Sequence, residues 1–276
     1  MNISILILTL NEEVNLPTCL ESVKWSDDIV VLDSYSSDRT CYIAKDAGAR
    51  VIQRRFDDWS SHYNWAMENV QFKNQWVFYL DADERMTESV RDEVELIAKD
   101  SAQSKVAYYC GRKNYFMGKW IKHAMPPGRI MRFFRPPYVR FQRLVNPVPI
   151  ISGTYGVLSN CIEHYTFNKG LAEWLQKHNA YSSFEALEGR KLQHDRNYSF
   201  LDLCSLDALV RRRALKRHAV LLPFRAIAKF IYLYVFNLGF LDGRPGFRYC
   251  VLQSLYEYMI VLKIDELDRK EQGSPA

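Results

Sequence analysis

Asp81 and Asp83 stand one residue apart directly after the apolar run Val77-Phe78-Tyr79-Leu80, and Glu84 follows them. Carboxylates so spaced at the end of a strand make an oxygen-only site. Hard divalent cations such as Mg2+ and Mn2+ take such ligands and share them with substrate phosphates. A solvated acidic turn, or negative charge gathered at a helix N-terminus, is the plainer reading of the same residues. The position after a buried fourth strand favours the cation.

Asp33 closes another apolar run and opens a segment dense in hydroxyls, Ser34-Tyr35-Ser36-Ser37. Its carboxylate can accept hydrogen bonds from a base N–H or from ribose hydroxyls, or it can hold an Asx-turn. Asp38 reads as a helix cap. Arg129 and Arg132 bracket a further apolar stretch, and a guanidinium can fork onto phosphate oxygens; Arg112, Lys113 and Lys119 read equally well as solvated. Glu84 and the pair Glu163 and His164 are candidate proton acceptors, although a structural role suits His164 better.

These residues need elements to position them. Residues 3–8 form an Ile- and Leu-rich run bounded by polar residues, as expected of a strand covered on both faces. Asn15-Leu16-Pro17 opens a helical pattern through Val23, 29–32 is the next strand, and a helix follows Asp38 until Gly48 stops it. A third strand at 51–52, a helix at 60–70 and a fourth strand at 76–80 continue the rhythm. Strands alternating with helices imply a parallel sheet with crossovers, and ligands bind such sheets beyond the carboxyl ends of the strands. Thr9, Asn11 and Glu12, then Asp33, then Asp81, Asp83 and Glu84, should therefore gather on one rim. Further on, 87–99 reads as a helix, 106–110 and 129–135 as added strands, and 136–156 as loops around short strands. Helical spacing then takes over at 171–187 and 200–215. A boundary near residue 170 divides an N-terminal domain, 1–170, from a helical region, 171–276.

The 276 residues are 48% hydrophobic and 25% charged, enough for a substantial core and incompatible with wholesale disorder. The formal charge of +5 is too modest to argue for nucleic acid. Six cysteines are dispersed without a C-x-x-C pair, which speaks against a zinc or thioredoxin-like motif and for a reducing compartment. The apolar start is too short, and lacks the basic flank, for a signal peptide, so a cytoplasmic protein is expected. The sequence carries no G-x-G-x-x-G, G-x-x-x-x-G-K-[ST] or G-x-S-x-G, which weighs against dinucleotide-binding dehydrogenases, P-loop NTPases and α/β-hydrolases.

Three stretches in order, Ile5-Leu6-Ile7-Leu8-Thr9-Leu10-Asn11-Glu12, Val30-Val31-Leu32-Asp33-Ser34-Tyr35-Ser36-Ser37-Asp38-Arg39-Thr40 and Asp81-Ala82-Asp83-Glu84, resemble the family-2 glycosyltransferases of GT-A fold. The likeness covers roughly the first 135 residues. Asn114-Tyr115-Phe116-Met117-Gly118-Lys119-Trp120 and Arg132-Phe133-Phe134-Arg135 narrow it toward the lipopolysaccharide-core β-glucosyltransferase branch. The resemblance implies an α/β, Rossmann-like, mostly parallel GT-A-type sheet with a helical C-terminal extension. It implies an inverting, metal-dependent hexosyltransferase that moves a sugar from a nucleotide-diphosphate donor, UDP-sugar favoured, to a glycan or lipid-linked acceptor in cell-envelope polysaccharide or lipopolysaccharide synthesis. By the same likeness Thr9, Asn11 and Glu12 border the nucleotide, Asp33 contacts the base, Asp81 lies near the ribose, and Asp83 binds the Mg2+ or Mn2+ that bridges the diphosphate. Arg132 is the cation that the likeness favours for the diphosphate.

One part of the branch's pattern is missing. A Val-His-Glu stretch is expected where this chain reads Val145-Asn146-Pro147, so the base that takes the acceptor's proton cannot be carried over, and Glu84 and Glu163 stand as substitutes. Two other readings remain. A sugar-nucleotide nucleotidyltransferase would need a Gly-rich, cationic loop after the first strand, which residues 9–13 do not supply. A non-catalytic membrane-surface binding protein is the second.

The run Arg211-Arg212-Arg213-Ala214-Leu215-Lys216-Arg217-His218 precedes an apolar stretch, 220–241, broken by Arg225, Lys229 and Asn237. That stretch has the length of a membrane span, but two cations in its first half make spanning costly. A helix in the interface beside a basic patch attracted to anionic lipid accounts for both features, with Arg225 and Lys229 sharing its polar side. A core helix with a basic neighbour is the alternative. The first reading places the protein peripherally on the inner face of the cytoplasmic membrane.

Overall fold

The computed structural model describes residues 2–143, 147–194 and 224–273, with 191–194 as backbone only. Val145 and Asn146, the predicted helix at 200–215, the basic run at 211–218 and the first residues of the apolar stretch, 220–223, lie outside the described residues. Two compact units divide the chain: Met1–Trp120 with Pro126–Asn168, and Ile121–Met125 with Lys169–Ala276.

The first unit is built on β1 (Ile3–Thr9), whose seven residues are all buried. Its side chains alternate between two cores, as a strand's must. Ile3, Ile5 and Ile7 pack with Leu16, Cys19 and Leu20 of α1 (Leu16–Val23) and with Val90 and Val94 of α4 (Glu88–Lys99). Leu6 and Leu8 pack on the other face with Tyr63, Ala66 and Met67 of α3 (Trp59–Asn69). β1 pairs in parallel with β2 (Ile29–Asp33) and β4 (Trp76–Asp81), and β2 with β3 (Arg50–Gln53), while α2 (Thr40–Asp46) crosses between the latter two.

Register fixes the rim. Thr9 sits opposite Asp33 and Leu8 opposite Asp81, so three strand ends finish at one level.

Beyond β4 the sheet turns mixed. β8 (Arg129–Phe134) is antiparallel to β4, and β6 (Lys105–Phe116) is antiparallel to β8. β11 (Thr154–Tyr165) is parallel to β6, and the two-residue β5 (Glu84–Arg85) closes the edge antiparallel to β11. β7 (Lys119–Trp120) pairs with β6, and β9 (Val139–Gln142) with β10 (Val148–Ile151) makes a separate ribbon. The predicted strand at 106–110 is thus the first half of a longer one. β11 is a twelve-residue strand not expected from the sequence: its first three residues fall at the end of the 136–156 stretch, and a register shift between Val157 and Cys161 breaks the alternation that would reveal the rest.

In the second unit α5 (Gly170–His194) packs on the last helix, Gly243–Glu271, through Ala186, Ile260 and Ile264. Lys263 Nζ donates to Asn179 Oδ1 and Ser183 Oγ, both at 2.8 Å. The helix Arg225–Ile231 runs through a π turn, Tyr232–Phe236, and a 3-10 turn, Gly239–Asp242, into the last helix. Gly239 is required at the bend: a Cβ there would lie 2.6 Å from the Leu233 carbonyl oxygen. Asp242 ends this 3-10 turn and is buried. Its carboxylate accepts from the backbone N–H groups of Lys122, His123 and Ala124 at 3.1, 3.0 and 2.8 Å, which binds 121–125 into this unit.

Candidate nucleotide and metal site

The loops after β1 and β2 are laced together at the rim. Thr9 Oγ1 donates to Asp33 Oδ1 at 3.0 Å, Ser36 N and Gln53 Nε2 donate to Asp33 Oδ2 at 2.9 and 3.1 Å, and Ser36 Oγ reaches Oδ1 at 2.5 Å. Burial alone would raise the Asp33 pKa, but the Ser36, Gln53 and Cys41 donors outweigh it and hold the carboxyl below its ordinary range. Asn11, at φ 54°, accepts from Ser37 N at 2.8 Å and donates its own N–H to Ser36 Oγ at 2.8 Å. Glu12 N donates to Thr40 Oγ1 at 2.7 Å, and Asn15 Nδ2 donates to Glu12 Oε2 at 2.9 Å. Asp38 accepts from Thr40 N at 3.0 Å and from Glu13 N at 3.1 Å. Arg39 is the residue at the cap position of α2, so Asp38 ties the preceding turn to the loop after β1 and does not cap the helix as expected. Thr9, Asn11, Glu12 and Asp33 are therefore brought together. The direct base contact expected of Asp33 is not the geometry found. Its side chain is fully buried and both oxygens accept from the protein, so it shapes the rim by fixing the 34–37 turn.

Across the rim, Asp81 and Glu84 share one cation. Arg132 Nη2 lies 2.5 Å from Asp81 Oδ2 and 2.7 Å from Glu84 Oε1, and its guanidinium stacks 4.1 Å from the centre of the Tyr79 ring. Tyr79 Oη donates to Asp81 Oδ1 and stands 2.6 Å from Tyr63 Oη. Glu84 Oε2 accepts from Asp81 N at 3.0 Å. Burial pushes the Glu84 carboxyl up, and Arg132 opposes that shift only in part. Burial would lower the Arg132 pKa, but the Asp81 and Glu84 carboxylates hold it well above its ordinary value.

Two expectations change here. Glu84 is wholly buried among Arg132, Arg112 and the Asp81 amide, so it is an internal counter-ion and not a base open to an acceptor hydroxyl. Arg132 is equally enclosed, and its charge is engaged by those two carboxylates and not offered to a diphosphate. Asp81 remains one-third exposed.

The edge pairing places Glu84 opposite His164 and Arg85 opposite Glu163. Neighbours along a strand face opposite ways, and only one of the two candidates in β11 meets the carboxylates. His164 Nε2 lies 3.4 Å from Asp83 Oδ2, while its Nδ1 contacts Asn114 Oδ1 at 2.9 Å. Glu163 turns the other way and takes the hydroxyls of Tyr115 and Tyr165 at 3.2 and 2.9 Å. Those two tyrosines stack at 4.9 Å and line a cavity of about 600 Å³ with Arg85, Phe167 and Asn168. Glu163 thus belongs to the face of β11 opposite His164.

Asp83 and His164 bring one oxygen and one nitrogen donor to a common point. No group of three or more His, Cys, Asp and Glu side chains that could hold a metal occurs among the described residues. One carboxylate oxygen and one imidazole nitrogen make a mixed donor pair and not the oxygen-only site expected, and a divalent cation there would complete its shell with phosphate oxygens and water.

The profile of glycosyl transferase family 2 matches residues 4–160, more than half the chain. The chain belongs to that family. Its mixed, mostly parallel sheet and helical C-terminal region are the GT-A architecture of such glycosyltransferases. An uncharacterized glycosyltransferase of Rickettsia prowazekii is 27% identical over 227 residues, covering 76% of this chain and 77% of that one. The lipopolysaccharide core biosynthesis glycosyltransferase LpsC of Rhizobium meliloti is 32% identical over 122 residues, 42% of this chain and 44% of that protein. Among solved structures, a mannosyltransferase of Pyrobaculum calidifontis in complex with GDP-Man and Mn2+ is 13% identical, with a TM-score of 0.49 over 95% of this glycosyltransferase and 86% of that chain.

Sequence reasoning passed over four residues of this neighbourhood. Tyr63 and Tyr79 read as core aromatics, and their hydroxyls become visible as a relay to Asp81 only once α3 is packed on β4. His62 and Arg54 meet at the end of β2: Arg54 Nη1 contacts His62 Nδ1 at 2.8 Å, and His62 Nε2 lies 3.4 Å from Ser34 Oγ. Burial, then the Arg54 charge, lowers the His62 imidazole to about 4.

Proposed function

We propose that this glycosyltransferase moves a hexose-type sugar, with inversion, from a nucleotide-diphosphate donor to a glycan or lipid-linked acceptor of cell-envelope polysaccharide or lipopolysaccharide, using Mg2+ or Mn2+ at Asp83. A UDP-sugar is the favoured donor. The observation that carries the reading is the convergence of Asp83 and His164, beside an Asp81 oriented by Tyr79 and Arg132, at the strand ends where Thr9, Asn11, Glu12 and Asp33 also gather. Membership of family 2 and the similarity to LpsC support the reaction class and the envelope pathway.

Each residue then has a physical task. The rim loops, locked by the Asp33 turn, form the nucleotide's seat, and their rigidity lowers the entropy lost on binding. Asp81, with both oxygens oriented by protein donors, presents its exposed edge to the ribose. Asp83 and His164 would hold the cation. When bound, that cation supplies Lewis-acid stabilisation of the charge on the departing diphosphate. The buried Arg132 pairs with both carboxylates at once and offsets part of their charge. An acceptor hydroxyl attacks the anomeric carbon from the side opposite the diphosphate, through a transition state of oxocarbenium character. A lipid-linked acceptor fits a peripheral position on the cytoplasmic face of an anionic membrane.

Thermal denaturation of the protein with UDP, GDP or CMP, each with and without Mn2+, tests this reading. One nucleoside diphosphate should stabilise the fold in a metal-dependent way. Stabilisation by none of them, or equal stabilisation without metal, would refute it.

A further inference from the structure

We propose that the bent helix pair of the second unit is a one-leaflet membrane anchor whose charge-free apolar stripes enter an anionic bilayer. This deepens the membrane part of the reading above and is independent of the sugar-transfer part.

The sequence sets Arg225 and Lys229 within the apolar stretch, as though one side of that helix were polar and wet. The structure disposes of them differently. Arg225 Nη2 lies 2.5 Å from Glu257 Oε2 and Lys229 Nζ 4.0 Å from Glu257 Oε1, so both cations turn toward the last helix and share its carboxylate. Ser254 Oγ donates to the Ala226 carbonyl on that same inner side at 2.7 Å.

Large apolar side chains are exposed on both arms. On the first arm Phe224, Ile227, Ile231 and Val235 recur at helical spacing, exposed by 79, 57, 42 and 50%. On the last helix Phe247, Val251, Leu255, Tyr258 and Leu262 repeat the pattern, each 41 to 51% exposed. Phe236, Leu238, Phe240 and Leu241 are exposed at the bend that joins the arms. Neither stripe contains an ionisable Asp, Glu, Lys or Arg. A soluble protein rarely leaves so much contiguous apolar surface in water.

Lipid is the occupant that the charge and geometry select. Arg244 and Arg248 are exposed beside the second stripe, and the sequence carries a cationic run, 211–218, shortly before the first arm, a composition suited to anionic headgroups. Among the described residues no single helix is long and apolar enough to cross a membrane. The pair qualifies only when taken together, and it is bent by 71°. A bend of that size between two apolar arms suits entry and return on one side of a bilayer.

Flotation of the full chain with vesicles of phosphatidylglycerol and phosphatidylethanolamine tests the proposal, with phosphatidylcholine vesicles as the neutral control. Ile231→Asp and Leu255→Asp should each reduce partitioning about tenfold or more, while leaving circular dichroism unchanged. Binding should survive in part at high salt, since apolar insertion is not screened. Phe236→Trp provides a second measurement that needs no loss of apolar surface: its emission, after subtraction of the parent protein's, should be quenched by spin-labelled acyl chains. Several outcomes would overturn the proposal: Asp variants that float like the parent, binding abolished entirely by salt, or an unquenched difference emission from the Phe236→Trp protein. So would a vesicle-free dimer that the Asp variants dissolve, because a second copy would then be the occupant. None of these readouts depends on a sugar donor, so they stand whether or not the transferase assay succeeds.

Discussion

Nε2 of His164 lies 3.4 Å from Oδ2 of Asp83, brought there by the antiparallel pairing of β5 with β11. The two side chains are far apart in sequence, and their contact depends on a strand pairing only two residues long. If they share a cation, Asp83→Asn should abolish Mn2+-dependent stabilisation by the nucleoside diphosphate. His164→Ala should raise the Mn2+ concentration needed by about tenfold or more. A His164→Ala protein with an unchanged metal requirement would leave Asp83 without that partner.

Arg132 joins Asp81 and Glu84 through one nitrogen, and Glu84 has no exposure to water. Removing the guanidinium leaves the buried Glu84 carboxylate with only the more distant Arg112, at 3.6 Å, as a counter-charge. Arg132→Ala should therefore cost about 3–5 kcal/mol in urea denaturation. Glu84→Gln keeps the shape and removes the charge, and should cost less, about 1–3 kcal/mol. Equal costs for the two would mean that packing, and not charge, holds the cluster.

The parallel half of the fold was legible because β1, β2 and β4 are short apolar runs, each ending in polar residues that face one rim. Asp33, Asp81 and Asp83 announced themselves in the same way, as carboxylates at strand ends. The other half was obscured by β11, where a bulge and interleaved polar residues erase the period of two. That loss also hid which of Glu163 and His164 faces Asp83, since a shift of one residue exchanges the faces of a strand. The family resemblance singles out Arg132 as a cation for the diphosphate, but only packing shows that Asp81 and Glu84 enclose it. The inward turn of Arg225 and Lys229 was unreadable for a similar cause, because their partner Glu257 lies on another helix.

His62 makes a pH prediction with a definite sign. Burial and the neighbouring Arg54 lower its imidazole from 6.5 to about 4. The unfolded chain takes up this proton as the pH falls through 6.5, whereas the folded protein resists until about 4. The stabilisation is therefore complete above the unfolded value and is lost progressively as acid is added down to the folded value. Melting temperatures measured at about pH 7 and about pH 5 should fall less for His62→Gln than for the parent. An equal fall in both would assign the acid sensitivity to other groups.

Asp242 accepts three backbone N–H groups, from Lys122, His123 and Ala124, and is itself buried. Asp242→Ala would leave those donors without an acceptor, at a cost of about 1–3 kcal/mol. Because 121–125 belong to the second unit through this contact, the damage should be local. Hydrogen exchange should accelerate at 122–124, while the amides of β1 and β4 keep their protection. Asp242→Asn retains one acceptor oxygen and should give an intermediate rate. Uniform acceleration across both units would show instead that Asp242 supports the whole chain.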